Sequence, residues 1–465
     1  MIRYLAFALV LLASPALAEP AIPDTPAGHA MTDFLAAFNT GTSAAFEAFN
    51  AKYHHPSPFG GLLAFSQQTG GVTLLKIESS TPDEINALVR AKESDFVVRY
   101  TVKLDPADPM KLTESQMAGG VVTPPELLPP RLSDADVLTA LAARADALTA
   151  RGRYAGNVLI ARHGKIVFEK SWGLADREAK TPVDTGMKFR LGSMDKMFTA
   201  IAVLQLVAQG GLSLDGTVGA YLPDYPNKDI ASKVTIRELL NHTAGAGDIF
   251  GPDFDAHRLE LKTVADYVKL YGARAPAHEP GASDGYDNYG FVLLGAIVEK
   301  VSGSDYYQYV RDHIFRPAGM TDTDSLPDDG SIAGLAPGYM RKDGAFVRNT
   351  GTLPYRGSPA GGGYSTVADL LKFAIALQDG ELLPKALLAE ATRPQNHDRW
   401  YGYGFETHAD DAARYFGHSG GAPGMNAELR IFPDQDVVFV AVDNMDDGGA
   451  SVLADYFAFR MPLKP

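Results

Sequence analysis

Apolar residues recur at helical spacing near the amino end: Phe34, Leu35, Phe38, Phe46, Phe49 and Tyr53, with a break at Asn39-Thr40-Gly41. That pattern predicts two short helices or one broken helix. Further on, Phe96, Val98, Tyr100, Val102 and Leu104 alternate strictly, as the inward face of a strand does, and residues 72–77 form a second β-type run. A helical stretch is expected at residues 82–91 between them. Helix followed by strands makes a small α+β module. Paired prolines at 124–125 and 129–130 then break both periodicities, because proline continues neither a helix nor a ladder. The expected division is therefore a module at 19–122, a Pro-rich linker at 123–132 and a second domain at 133–465.

The second domain opens on Ser133, a helix N-cap followed by the first-turn acids Asp134 and Asp136, and the helix should run to about Ala150. Residues 157–162 and 165–170 read as a hairpin closed by His163-Gly164. Helices and loops dominate from about 187 to 383. Strands return at 427–432 and 437–442 around Pro433-Asp434-Gln435-Asp436, and 450–459 reads as a closing helix. Strands at both ends with helices between them predict one sheet assembled from distant segments, with a helical subdomain inserted.

Composition narrows the function classes. The chain has 465 residues, a formal net charge of −14 and no cysteine. A like-charged surface repels polyanions, so no nucleic-acid partner is expected. Without thiols, any nucleophile is oxygen, nitrogen or a metal-bound water. At the amino end Arg3 precedes an apolar stretch, residues 5–13, and Ala16-Leu17-Ala18 offers a small-x-small cleavage site. Residues 1–18 are expected to be an export signal removed before Glu19, which would leave a periplasmic or secreted chain. The stretch is short for a membrane helix, and the lack of cysteine removes a lipidation point, so no membrane anchor is expected.

The chemistry concentrates in three places. Ser193-Met194-Asp195-Lys196 leads into residues 197–208, a helix apolar nearly all round and ended by Gly210-Gly211. One helical turn brings Lys196 onto the face of Ser193, and a desolvated lysine can take a serine proton. Ser-x-x-Lys alone occurs by chance about once or twice in such a chain, so the buried, glycine-punctuated context carries the weight. Tyr286-Asp287-Asn288 stands where a loop meets a second apolar helix, 291–301. His418-Ser419-Gly420-Gly421 precedes the strand at 427–432 and offers backbone N–H groups beside a sheet edge. A nucleophile, a base, a positioning amide and oxyanion donors are what acyl transfer requires.

In this order and with these flanks, Ser193-x-x-Lys196, Tyr286-x-Asn288 and His418-x-Gly420 resemble the penicillin-recognising serine hydrolases. The nearest branch groups class C β-lactamases, DD-carboxypeptidases and family VIII esterases. Residues 239–245, 289–299, 319–323 and 360–369 share the resemblance. It implies an α/β (α+β) serine β-lactamase/DD-peptidase-like fold, an antiparallel sheet with a helical subdomain, preceded by the small α+β module at 19–122, whose pattern of elements resembles a cystatin-like or nuclear-transport-factor-like (NTF2-like) half-roll. Ser193 would be the acylated nucleophile, with Lys196 and Tyr286 sharing the base and acid work. Asn288 would orient substrate and Lys196, and the N–H groups of Ser193 and Gly421 would form the oxyanion hole. His418, Gly420 and Gly421 would bind substrate, a small ester, amide or D-amino-acid peptide, with no cofactor.

The departure is His418, where β-lactamases and transpeptidases of this superfamily usually carry lysine. A weaker demand for a substrate carboxylate follows, and a lean toward esters or peptides. Ser283-Asp284-Gly285 reads as turn residues. Tyr225-Pro226-Asn227 is a second Tyr-x-Asn but has no apolar helix behind it. Gly417-His418-Ser419-Gly420-Gly421 matches a nucleophile elbow in form only, since Pro423 follows and no later histidine exists. His278-Glu279 cannot begin a zinc helix, because Pro280 follows it. His54, His55 and His242 read as surface and packing residues. A true β-lactamase, a transacylase and a silent receptor on the same fold remain the alternatives.

Overall fold

The computed structural model describes residues 20–55, 60–119, 121, 123–329, 332–342, 345–408 and 413–464; the expected export signal lies outside them. The chain divides into two compact units. One ends at Val121, and the other runs from 122 to the carboxyl end with Glu93–Asp95 grouped with it.

In the small unit, Thr25 caps α1 (Pro26–Thr40), which ends at Gly41 in the left-handed region, and Thr42 caps α2 (Ser43–Lys52). The sequence break is thus a true interruption between two helices. A third helix, α3 (Gly60–Thr69), leads into a four-stranded antiparallel meander: β1 (Val72–Ser80), β2 (Glu84–Ala91), β3 (Val97–Asp105) and β4 (Asp108–Ala118), paired in that order. The helix expected at 82–91 is instead β2. Its Glu, Ala, Leu and Arg favour helices, but Ile85, Ala87 and Val89 alternate onto one face, fully buried, and the strand is paired on both edges. Tertiary pairing overrides a weak local preference. Phe34 anchors the core, stacked on Tyr100 with centroids 4.1 Å apart and edge-on to Phe49 at 5.4 Å.

In the large unit, Ser133 accepts from the N–H of Asp136 and starts α4 (Asp134–Ala150). The hairpin β5 (Gly156–Arg162) and β6 (Lys165–Trp172) turns on His163 and Gly164, both at positive φ, 50° and 67°. Four late strands complete the sheet: β7 (Glu406–His408), β8 (Tyr415–Ala422), β9 (Met425–Phe432) and β10 (Val437–Asp443). The order is β7-β8-β9-β10-β5-β6, every pair antiparallel. His418–Gly421 therefore lies within strand β8, paired with β9.

Both faces of the sheet are covered. Four helices matter for the site: α5 (Asp195–Ala208), α6 (Asn288–Ser302), α7 (Val367–Asp379) and α8 (Gly449–Arg460). Phe439 of β10 stacks on Phe457 of α8, while its neighbour Val440 joins the core that contains α5, α6 and α7. Strands covered on two sides read as continuous apolar runs, as β10 does. Helix α5 is buried from Asp195 to Leu204. Among the described residues no helix is long and apolar enough to cross a membrane.

Truncating Phe34 to alanine leaves a cavity among tightly packed rings. The small unit should lose about 3–5 kcal/mol in chemical denaturation, and a loss under about 1 kcal/mol would contradict the packing described.

Candidate active site

Ser193 sits in a tight helical turn, Gly192–Met194, that feeds directly into α5. The turn needs Gly192, whose φ is 53°. Lys196, one turn into α5, is fully buried. Its Nζ lies 3.1 Å from Ser193 Oγ, 2.7 Å from Asn288 Oδ1 and 2.6 Å from the Ala360 carbonyl oxygen. Burial is the main reason its amine falls from the usual lysine range to about 7, and the carboxylates of Asp195, Asp248, Asp287 and Glu406 only partly oppose it.

Asn288 is the first residue of α6. Its Nδ2 donates to Asp248 Oδ1 at 2.9 Å, which turns Oδ1 toward Lys196. Buried Asp287 caps the same helix, accepting from Gly290 N–H at 2.5 Å and Ala246 N–H at 2.8 Å. Tyr286 is 41% exposed, and its phenol comes close enough to Ser193 for the serine to lower its pKa. Burial raises the phenol well above its ordinary range, against a smaller lowering by Ser193. The lysine ammonium stands 4.8 Å from the Tyr286 ring centroid.

The segment that supplies the Ala360 carbonyl is itself tied down. Asp195 accepts from the N–H of Gly363 at 2.6 Å, and Arg190 donates to the Gly362 carbonyl at 3.2 Å while pairing with Asp328 at 2.8 Å. Strand β8 passes on the other side. A Cβ on Gly420 would stand 1.8 Å from the Leu191 carbonyl oxygen and 3.2 Å from Ser193 N, and one on Gly192 would stand 2.8 Å from Gly421 N. These glycines let the strand backbone close against the nucleophile turn, with the N–H groups of residues 193 and 421 beside the same cleft.

His418 does not join that cleft. It is 1% exposed beneath the site. Its Nδ1 faces the Ser419 carbonyl at 2.5 Å and so carries the proton, while Nε2 accepts from Tyr401 OH at 2.7 Å. Burial, then the nearby Lys196, pull its pKa down to about 3, so the imidazole is neutral. Tyr225 bonds Tyr289 inside the helical region, and Ser419 donates to Glu406 at 2.6 Å; neither lines the cleft.

The cleft is a cavity of about 190 Å³. Ser193, Asn288, Gly192 and Gly421 form its reactive end, and Ile249, Phe250, Phe254, Leu353, Pro354 and Met425 much of its wall. Among the described lining residues there is no lysine, arginine or histidine, and Asp255 is the one ionisable carboxylate. Sequence reasoning missed Asp248, Asp287 and the Ala360 carbonyl. The stretch at 360–369 carried a family flavour, but a backbone acceptor leaves no side-chain signature.

A family model described as Beta-lactamase matches residues 140–458. Penicillin-binding protein 4* of Bacillus subtilis is 30% identical over 323 residues, spanning 65% of this chain and 70% of that protein. Esterase EstB of Burkholderia gladioli is 30% identical over 298 residues, 55% of this chain and 75% of the esterase. The crystal structure of a penicillin binding protein from Bacillus halodurans superposes with a TM-score of 0.62 at 31% identity, covering 67% of this chain and 98% of that one.

The two glycines of β8 should respond differently to one methyl group. Gly420→Ala pushes on the backbone that carries Ser193 and should slow fluorophosphonate labelling about 100-fold, the scale of a 1 Å misplacement. Gly421→Ala meets nothing within 4 Å and should label within about tenfold of the parent; equal rates for the two variants would contradict this packing.

Proposed function

The chain belongs to the Beta-lactamase family and is a serine hydrolase, and from that premise we propose that it cleaves uncharged, apolar esters or amides through a covalent Ser193 acyl-enzyme. One observation carries the reading: the buried Lys196 amine, held near neutrality, stands against Ser193 Oγ in a cleft whose described lining has no cation.

The roles follow from hydrogen-bond stoichiometry. A neutral amine has two protons and one lone pair. Asn288 Oδ1 and the Ala360 carbonyl are pure acceptors and take the two protons, which leaves the lone pair directed at the Ser193 hydroxyl. Lys196 then receives the Oγ proton as Oγ bonds to the substrate carbonyl carbon. The carbonyl oxygen becomes an oxyanion, received by the N–H groups of Ser193 and Gly421. A phenol raised by burial stays protonated, which suits Tyr286 to donate to the leaving group and to be reprotonated from Lys196. Water later releases the acyl group by the reverse proton path.

Neutral, buried His418 offers no charge to a substrate carboxylate, so carboxylate-bearing β-lactams and D-Ala-D-Ala peptides are poor substrates in this reading. The esterase among the relatives supports the ester side. The sequence pattern of residues 1–18, a basic residue, an apolar stretch and a small-x-small site, supports export to the periplasm or beyond.

A fluorophosphonate should add one label to the parent chain and none to Ser193→Ala, read by intact mass. Among substrates, p-nitrophenyl esters should exceed nitrocefin and D-Ala-D-Ala peptides by at least about 100-fold in kcat/KM; the reverse order would overturn the substrate reading.

The pH dependence has a definite sign. Lys196 acts only when deprotonated, so the acylation rate should fall as pH drops through about 7 and level off above it. Lys196→Arg, charged at every working pH, should abolish acylation. A rate flat from pH 5 to 9 would remove Lys196 from the role of base.

A further inference from the structure

His242 is fully buried and at φ 63°, a left-handed conformation that costs a non-glycine residue energy and persists where surroundings dictate it. Its contacts bracket Tyr286. The His242 carbonyl accepts from the N–H of Gly285 at 2.9 Å, and its ring Nδ1 accepts from the N–H of Asp287 at 3.1 Å. Both residues flanking the tyrosine are therefore pinned to one side chain and its own backbone. The imidazole also lies against the Tyr286 ring, with centroids 4.4 Å apart and planes at 38°.

The imidazole also meets Tyr401, with centroids 4.3 Å apart, and Tyr401 in turn bonds His418. The four rings Tyr286, His242, Tyr401 and His418 form one chain of contacts from the partly exposed tyrosine down to strand β8. Because Nδ1 accepts, the proton of the neutral ring resides on Nε2, which has no hydrogen-bond partner. A buried donor left without one costs free energy, so the pocket holds this imidazole for what its other nitrogen and its face do. Burial keeps the ring neutral, as an accepting Nδ1 requires.

We propose that His242 is the positioning residue of Tyr286, setting backbone and ring so that the phenol meets Ser193, and that His418 serves as the foot of the same chain of contacts. The proposal rests on the role assigned to Tyr286 above. It gives the third motif's histidine a task inside the protein in place of a contact with substrate, and it links two motifs far apart in sequence through His242 and Tyr401.

A double-mutant cycle distinguishes this from general damage to the fold. Single-turnover acylation by a p-nitrophenyl ester is measured in the parent, His242→Leu, Tyr286→Phe and the double variant. His242→Leu should slow acylation about 10- to 100-fold, with the apparent substrate affinity within about threefold. In the Tyr286→Phe background the same change should cost no more than about twofold. His242→Asn, which tolerates positive φ and can accept from the Asp287 N–H, should restore the rate to within about fivefold of the parent. Equal losses in both backgrounds, or no recovery with Asn, overturn the proposal. Undiminished acylation by Tyr286→Phe alone would instead overturn the role of the tyrosine. If His242→Leu does not fold, His242→Gln in the same two backgrounds replaces it, with the same non-additivity expected.

Discussion

An amine with no solvent contact has to be discharged or fully bonded, and the large unit is organised around meeting that demand for Lys196. Its three partners come from three separate segments: the Ser193 turn, the first residue of α6 and the carbonyl of Ala360. Each is secured by further groups. Asp287 caps α6 and ties it to the loop at Ala246, Asp248 turns the Asn288 amide, and Asp195 with Arg190 anchors the chain at 362–363. Disturbing any of these leaves a buried polar group without its partner, so the site and the core around α5 form one structural problem.

Closeness of backbones is the second constraint. The Ser193 turn packs against β8 where a Cβ on Gly420 would overlap the Leu191 carbonyl, so side-chain-free residues occupy that crossing. The proposed oxyanion donors are accordingly backbone N–H groups held by a strand and a helical turn, which need no reorientation during reaction. Since Gly421 leaves the cleft wall bare at this point, its character is set by the apolar residues of the lining, among them Phe250, Phe254 and Leu353. Charge near the reacting centre is confined to the lysine and the acids behind it.

His418 shows how position along a motif and position in space can diverge. On a strand, successive side chains point to opposite faces, and the face that His418 occupies is packed under Tyr401 and out of the cleft. The short imidazole, held by a tyrosine and a carbonyl, stays out of the cleft. Two buried histidines thus differ in tautomer, His418 donating through Nδ1 and His242 accepting there, and each is set by the backbone group it faces.

The order of residues alone brought out the pairing of Ser193 with Lys196, the break in the first helical pattern, and a sheet drawn from both ends of the large unit. These are local properties, carried by spacing, caps and proline, or by runs of apolar residues long enough to require burial. Tertiary structure decided the rest. Strand β2 carries helix-favouring residues and took its form from neighbours on both edges; β4 is a mostly polar strand, and β8 is too rich in glycine to show an alternating pattern. The Ala360 carbonyl and the pinning of Tyr286 by His242 depend on backbone atoms, which are the same at every position. Whether a histidine meets substrate or supports a tyrosine depends on which face of a strand is covered, and that is settled only when distant segments pack.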